Sequence, residues 1–144
     1  VKKVKFTDTY YDYGTDVNNN GLYDYLTMDI VVNVTTSGNY RINGQLSDVN
    51  GSAIVLSSTD THLEVGDQAI TLKFDGIQIR RHEIDAPYNY NLILSDESDN
   101  LCDYKYDITT SAYNYTDFEK SSAMSQHGIS LAKAGLILGI KPAA

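Results

Sequence analysis

Residues 25–36 read Tyr-Leu-Thr-Met-Asp-Ile-Val-Val-Asn-Val-Thr-Thr. Apolar side chains recur at every second position from Leu26 to Val34, with Thr27, Asp29 and Asn33 between them. Successive side chains of a strand point to opposite faces, so this pattern predicts a strand with one buried face. The fold prediction for the whole chain starts from this strand.

The same alternation recurs on both sides of this stretch, and turn signals separate its repeats. Asn50-Gly51 predicts a hairpin turn, because Asn and Gly accept the positive φ that hairpin turns require. No segment before residue 119 sustains helical periodicity, and Asp75-Gly76 reads as a further turn. Seven or eight short strands of this kind predict an all-β fold over residues 1–118, an antiparallel β-sandwich that is immunoglobulin-like or jelly-roll-like.

Overall composition narrows the classes of partner. The chain has 144 residues, a formal net charge of −8 and a single cysteine, Cys102. An acidic surface repels phosphate backbones and anionic headgroups, so we expect no nucleic-acid partner. One cysteine allows no disulfide within the chain, and bound calcium is an alternative stabiliser in extracellular proteins. The chain opens at Val1 without a methionine or an apolar leader, which predicts a processed fragment.

The segment directly before the quoted strand predicts a metal site. Its pattern is Asp-x-Asn-x-Asn-Gly-x-x-Asp, in which alternate oxygen-bearing side chains converge while Gly21 makes the tight turn. The predicted Ca²⁺ ligands are Asp16, Asn18, Asn20, the carbonyl of Leu22, and Asp24. The alternative is an Asn-rich turn without an ion, because Asn, Asp and Gly favour turns by themselves.

The twelfth position of this loop is Thr27, where a helical EF-hand has glutamate, so we do not expect flanking helices. Two formal charges predict an affinity of roughly 10⁻⁴–10⁻³ M unless Asp12, Asp29 or Asp103 joins the site. The acidic stretch 96–103 has no glycine and is either a hairpin turn or a source of such a carboxylate.

We predict no catalytic residues. The three histidines do not have the spacing of a zinc site, and no Gly-x-Ser-x-Gly motif occurs. Cys102 lies beside Asp103, which would raise the pKa of its thiol and favours a structural role. The cluster at residues 80–82, Arg-Arg-His, is expected to pair with Glu83, Asp85 or other acidic side chains.

Twelve tyrosines without a tryptophan suggest a carbohydrate-binding face, because aromatic rings stack on sugar rings. The alternative is core packing, since tyrosine is also a strand former. We expect a core position for the tyrosines that are in phase with strand aliphatics, namely Tyr40, Tyr88, Tyr90, Tyr104 and Tyr106.

The C-terminal part has a different composition. Residues 119–128 read as a linker, and residues 129–144 as an apolar tail that could form either a helix or a strand and is too short to span a bilayer. It is either an unrelated segment fused to the domain or an assembly element that docks on another chain. The partner-binding candidates are Ile129, Leu131, Leu136, Leu138 and Ile140.

Three features are similar to a module of archaeal, particularly methanogen, surface and secreted proteins. They are the loop and strand at 16–34, the Gly-Asn-Tyr at 38–40 with the turn at 48–51, and the segments 72–76, 86–88 and 110–115. The loop itself resembles the calcium loops of integrin-type propeller blades. The resemblance implies an extracellular, non-catalytic module with a structural, adhesive or assembly role, and other surface proteins or copies of itself as partners. The alternatives are a carbohydrate-binding accessory domain of a secreted hydrolase, which would bind glycans, and a polymerising subunit that donates its tail.

Overall fold

The computed structural model describes residues 2–121, and its strands are arranged as an antiparallel sandwich. The seven strands in this part of the chain are β1 (Val4–Thr15), β2 (Tyr25–Val34), β3 (Gly38–Ser47), β4 (Ala53–Leu63), β5 (Gly66–Asp75), β6 (Asn89–Asp96) and β7 (Leu101–Thr109). A short helix, α1 (Gly76–His82), follows β5, and a single 3₁₀ turn (Tyr115–Asp117) follows β7. The predicted all-β antiparallel sandwich is confirmed.

The strand order identifies which kind of sandwich it is. One sheet has the order β1-β2-β5 and the other β4-β3-β6-β7, and all paired neighbours are antiparallel. This is the immunoglobulin-like arrangement with the fourth strand placed beside the third. Tyr88, directly before β6, donates its hydroxyl to the Ile84 carbonyl at 2.5 Å. Such a tyrosine corner before the sixth strand is a further immunoglobulin-like feature.

The core lies between the two sheets and is built from the alternation seen in the sequence. On β2, every apolar residue from Leu26 to Val34 at the predicted alternate positions is at most 1 % exposed. These side chains pack in one cluster with Ile42 of β3 and Leu92 of β6. Burial of one such aliphatic side chain contributes about 1.5–3 kcal/mol relative to leaving it in water. The quoted stretch therefore forms the centre of the core.

The free edges of the two sheets approach each other on both sides of the sandwich. At one side, Ser57 Oγ of β4 donates to the Lys73 carbonyl of β5 at 2.5 Å. At the other, the Phe6 N–H of β1 donates to Asp103 Oδ2 of β7 at 2.9 Å. These bonds satisfy backbone groups that an open edge would offer to another chain.

One element was not expected from the sequence. Asp75-Gly76 was predicted as a turn, but the chain continues into the seven-residue helix α1. Asp75 accepts the Ile77 N–H and caps its first turn, while Glu83 ends it in the left-handed conformation at φ 53°. A two-turn helix is too short to show periodicity, and it is held by tertiary contacts of the fully buried Ile79.

The phase of β7 also differs from the prediction. Tyr40, Tyr88 and Tyr90 are buried as expected, but Tyr104 and Tyr106 are 51 % and 57 % exposed. The register pairs Tyr104 with Ile93, which faces away from the core. Strand alternation then turns Asp103 inward, where the backbone and a lysine satisfy its carboxylate.

Candidate metal centre

The predicted metal loop connects β1 to β2, and its first carboxylate organises the turn. Asp16 Oδ1 accepts the N–H groups of Asn19 at 2.9 Å and Asn20 at 3.3 Å, and its Oδ2 accepts that of Gly21 at 2.8 Å. Gly21 has φ +86°, a conformation that costs glycine little. Residues 16–21 therefore form a compact turn in which three backbone N–H groups point at the Asp16 carboxylate.

The remaining predicted ligands close the same ring. Asp24 Oδ2 accepts the Val17 N–H at 2.6 Å, so the two ends of the loop are joined. Asn18 Oδ1 accepts from the Asn20 N–H at 3.3 Å, and Asn20 Oδ1 from the Leu22 N–H at 3.0 Å. All five predicted ligand residues thus lie in one hydrogen-bonded turn.

The donor set is compatible with a hard cation. A carboxylate has about four lone-pair sites, of which Asp16 uses three and Asp24 one in the bonds given above. Carboxylate, amide and carbonyl oxygens are the ligands that Ca²⁺ prefers. No group of three or more His, Cys, Asp or Glu side chains suited to a metal occurs within residues 2–121. Any cation here would therefore depend on amide and carbonyl oxygens as well as carboxylates.

A third carboxylate, which the sequence did not indicate, lies beside the loop. Asn20 Nδ2 donates to Glu119 Oε2 at 2.5 Å. This bond, followed by a backbone bond from Lys120, holds the pKa of Glu119 below its ordinary value. Nothing in the local sequence around Glu119 resembles a metal motif, because its position depends on the path of the C-terminal segment.

The carboxylates considered as additional ligands have other partners. Asp12 accepts from the Tyr113 hydroxyl and the Ser111 N–H. Asp29 accepts from the hydroxyls of Tyr13 and Thr71. Asp103 lies at the β1–β7 edge, as described above. The structure therefore corrects this expectation, and Glu119 is the additional carboxylate that contacts the loop.

The C-terminal segment reaches the loop through Tyr23. The Tyr23 N–H donates to the Asp117 carbonyl at 2.8 Å, and the Glu119 N–H donates to the Tyr23 carbonyl at 2.9 Å. This is a short parallel bridge, and the Tyr23 ring packs against Phe118 with 5.7 Å between centroids. Glu119 is the first residue of the predicted linker, and its backbone bond to Tyr23 holds it against the sandwich.

Two features make this contact compact. The Tyr23 ring lies so close to Gly14 that a β-carbon there would be 2.3 Å from Tyr23 Cδ2. Arg80, in the last turn of α1, donates to the carbonyls of Thr116 at 2.9 Å and Phe118 at 3.0 Å. The predicted pairing of the basic cluster with Glu83 or Asp85 is thus replaced, for Arg80, by bonds to the C-terminal backbone.

The other candidate residues have structural environments. The stretch 96–103 contains the β6–β7 hairpin turn, in which Asp96 accepts the N–H groups of Ser98 at 3.0 Å and Asn100 at 2.9 Å. Cys102 is half-buried, and burial, then the charge of Asp96, raises the pKa of its thiol. A raised pKa disfavours the reactive thiolate. The tail candidates Ile129, Leu131, Leu136, Leu138 and Ile140 lie outside the described residues.

A second surface feature lies at the β1–β7 edge. The exposed rings of Tyr104 and Tyr106 are stacked side by side, with 5.1 Å between centroids and a tilt of 36°. They line an open depression of about 460 Å³ together with Lys2, Lys5 and Lys105. The sequence prediction missed this site because it assigned both rings to the core.

Comparisons with known proteins support the fold and nothing finer. No protein-family model matches the chain, and no curated protein sequence matches it. Solved structures similar to it include a calcium-binding mutant of Bacteroides uniformis beta-glucuronidase 2, at 11 % identity and a TM-score of 0.50 over 76 % of this chain and 14 % of that one.

Two further similar structures have TM-scores just under 0.5. One is a glycosyl hydrolase family 2 member from Bacteroides cellulosilyticus, at 15 % identity and a TM-score of 0.49, covering 74 % of this chain and 15 % of that one. The other is a beta-D-mannosidase from Dictyoglomus thermophilum, at 12 % identity and a TM-score of 0.48, covering 78 % of this chain and 13 % of that one. The chain spans 13–15 % of the length of these three structures. Within the described residues, no helix is long and apolar enough to cross a membrane.

Proposed function

We propose that this chain is a non-catalytic sandwich module of an extracellular protein, of the archaeal cell-surface type, and that its 16–24 loop binds Ca²⁺. Its role would be structural, adhesive or in assembly with other surface proteins or further copies of the module. The observation that carries the proposal is that the five predicted ligand residues lie in one hydrogen-bonded turn, which Glu119 contacts through Asn20. Calcium bound there would link the β1–β2 connection to the C-terminal segment.

The local charge and the connection between distant segments both favour calcium. Glu119 brings a further negative charge beside a loop that already carries Asp16 and Asp24, and such a local excess of negative charge attracts a divalent cation. Bound cation would also tie together Asp16 and Glu119, which are far apart in the sequence. A ligand that binds only the folded state at ten times its Kd stabilises that state by about 1.4 kcal/mol.

The test is thermal unfolding with and without millimolar calcium. We expect added calcium to raise the unfolding midpoint of the wild-type protein. The midpoint of Asp16→Ala should be the same with and without calcium. Asp48→Ala is a matched control, because Asp48 also accepts two backbone N–H groups in a turn, from Asn50 and Ser52, but lies outside the candidate site. This control should keep the calcium response. An unchanged midpoint in the wild-type protein would exclude the calcium site.

The exposed Tyr104–Tyr106 pair favours a second candidate function, a carbohydrate-binding accessory domain. The two rings are adjacent and more than half exposed, although tilted by 36° to each other. Exposed aromatic rings can stack on the apolar faces of sugar rings, and their hydroxyls can bond to sugar hydroxyls. A screen for binding to polysaccharides in solution tests it. Absence of binding to all of them would remove this candidate without affecting the calcium proposal.

A further inference from the structure

The Tyr104–Tyr106 pair forms the apolar part of a larger surface. Neither hydroxyl has a hydrogen-bond partner within residues 2–121, so both remain available to a ligand. The strand register continues the same face from Tyr104 to Ile93 and then to Asn43. Ile93 is 37 % exposed and extends the apolar strip, while Asn43 offers both a donor and acceptors. This combination suits a ligand with apolar faces and many hydroxyls.

Three lysines line the depression beside the rings, although the whole chain is acidic. Lys2 pairs with Asp103 at 2.7 Å, and Lys105 pairs with Asp8 at 2.8 Å. Lys5 lines the same depression and is exposed, and in the described part of the chain its ammonium group has neither a hydrogen bond nor an ion pair. The three lysines and two aspartates leave one net positive charge here, against −8 for the chain.

We propose that the surface formed by Tyr104, Tyr106 and Lys5 binds an acidic oligosaccharide, one whose sugar rings carry carboxylate groups. The two rings would stack on successive sugars, and Lys5 would pair with a carboxylate of the chain. This inference rests on the second candidate function above, because it names the class of carbohydrate for the same site.

The surface fits a glycan better than the other anionic polymers. A long nucleic acid extends beyond the depression, where its phosphates would be repelled by the acidic remainder of the chain. An acidic peptide has no rigid rings that could use two adjacent aromatic faces. A short uronate-containing oligosaccharide has fewer charges in total and presents a sugar ring at each repeat. Such a ligand uses both the aromatic pair and the ammonium group of Lys5.

The test is calorimetric titration with a galacturonate hexamer at low salt. The buffer contains no calcium, because calcium cross-links galacturonate chains. We expect binding by the wild-type protein, about tenfold weaker binding by Tyr104→Ala, and a loss of about two- to fivefold in Lys5→Gln, the range of an exposed ion pair. Tyr11→Ala is the matched control: Tyr11 is 60 % exposed but does not line the depression, and its replacement should have no effect. Lys5 is exposed, so Lys5→Gln does not threaten folding.

The comparison ligands separate the possible failures. The same hexamer with every carboxylate reduced to a primary alcohol should bind at least about fivefold more weakly. Equal binding of both hexamers, with a loss in Tyr104→Ala, would overturn the acidic class and leave the carbohydrate-binding candidate standing. No binding of either would overturn the inference, and the polysaccharide screen described above then decides the carbohydrate-binding candidate. Polyglutamate or oligothymidylate binding as tightly as the galacturonate would show a general polyanion surface and overturn the inference.

Discussion

Asn20 Nδ2 donates a hydrogen bond to Glu119 Oε2 at 2.5 Å, across 99 positions of the sequence. Asn20 lies in the turn organised by Asp16, and Glu119 follows the segment that bridges to Tyr23. The candidate metal loop and the C-terminal segment are therefore one structural unit. A substitution in either part should therefore alter the stability or the cation affinity of the other. The first two predictions use this relationship.

Replacement of Glu119 by Gln should weaken calcium binding. The substitution keeps the size and one acceptor oxygen but removes a negative charge beside the loop. We expect the affinity for calcium to fall about fivefold, equivalent to about 1 kcal/mol for one charge near a surface site. Calorimetric titration with calcium measures it. Glu97→Gln, at an exposed acid in the β6–β7 turn, serves as the control, and equal losses in both variants would argue against a specific role of Glu119.

Replacement of Gly14 by Ala should loosen the C-terminal segment. The new β-carbon would lie 2.3–2.4 Å from three atoms of the Tyr23 ring, so that ring must move away from Phe118. We expect a loss of about 1–3 kcal/mol in the free energy of unfolding, as for other overpacked sites. Urea unfolding measures it.

The control for that substitution is Gly38→Ala. A β-carbon at Gly38 would meet nothing closer than Tyr40 Cε2 at 4.0 Å. Stability should change by less than about 0.5 kcal/mol, as at most surface positions. If Gly14→Ala lost as little stability as Gly38→Ala, the contact between Tyr23 and the backbone of β1 would not constrain the fold.

Removal of the Asp103 carboxylate should open the β1–β7 edge. Burial raises the pKa of Asp103, but the bonds from Lys2 and from the N–H groups of Phe6 and Tyr104 outweigh it and hold the pKa below its ordinary value. Asp103→Ala leaves the buried Phe6 N–H without its acceptor. We expect a cost of about 1–3 kcal/mol in the free energy of unfolding, measured by denaturant titration.

Asp60→Ala provides the contrast for this experiment. Asp60 pairs with Arg41 through two bonds, at 2.6 and 3.1 Å, but both side chains are at least half exposed. An exposed pair contributes about 0.2–1 kcal/mol. A larger loss of unfolding free energy in Asp60→Ala than in Asp103→Ala would contradict the expectation that the buried carboxylate at the β1–β7 edge contributes more.

Acid should destabilise the protein partly through Asp96. The Asn100 N–H, and after it Lys3, lower the pKa of this carboxyl from 3.8 to about 2. A carboxyl with a depressed pKa in the folded state adds stability above its unfolded pKa, and this is lost as the pH falls through the folded value. Stability should therefore decline between about pH 4 and pH 2. Asp96→Asn should have a flatter slope over that window in denaturant unfolding, and an unchanged slope would contradict the assignment.

The sequence predicts the strands of this fold well because burial has a period of two in them. β2 is buried on the predicted face, and the Asn50-Gly51 turn joins β3 to β4 as expected. Such patterns are local, since strand geometry alone sets the alternation. The same logic fails for β7, where the charged Asp103 occupies the inner face and Tyr104 the outer one. Edge strands can reverse the pattern when a buried charge finds several partners.

The candidate site could be predicted only in part. Asp16, Asn18, Asn20, Leu22 and Asp24 lie within nine consecutive residues, so spacing alone brings them together. Glu119 and Arg80 have no such signal, since their positions follow from how the C-terminal segment crosses the end of the sandwich. Asp12 is close to the loop in sequence, but its carboxylate accepts a hydrogen bond from the Tyr113 hydroxyl instead.

By itself, the sequence determined the two-sheet class and the candidate turn, because side-chain alternation and Asn-Gly turn chemistry act between near neighbours. Tertiary structure alone decided that Glu119 would contact Asn20, that Arg80 would hold the last segment, and that Tyr104 would face outward. Contacts across so many residues depend on the order of strands in the sheets and on which side of the sandwich each connection crosses. That order minimises exposed apolar area and unpaired backbone groups over the whole molecule, and no local stretch of sequence specifies it.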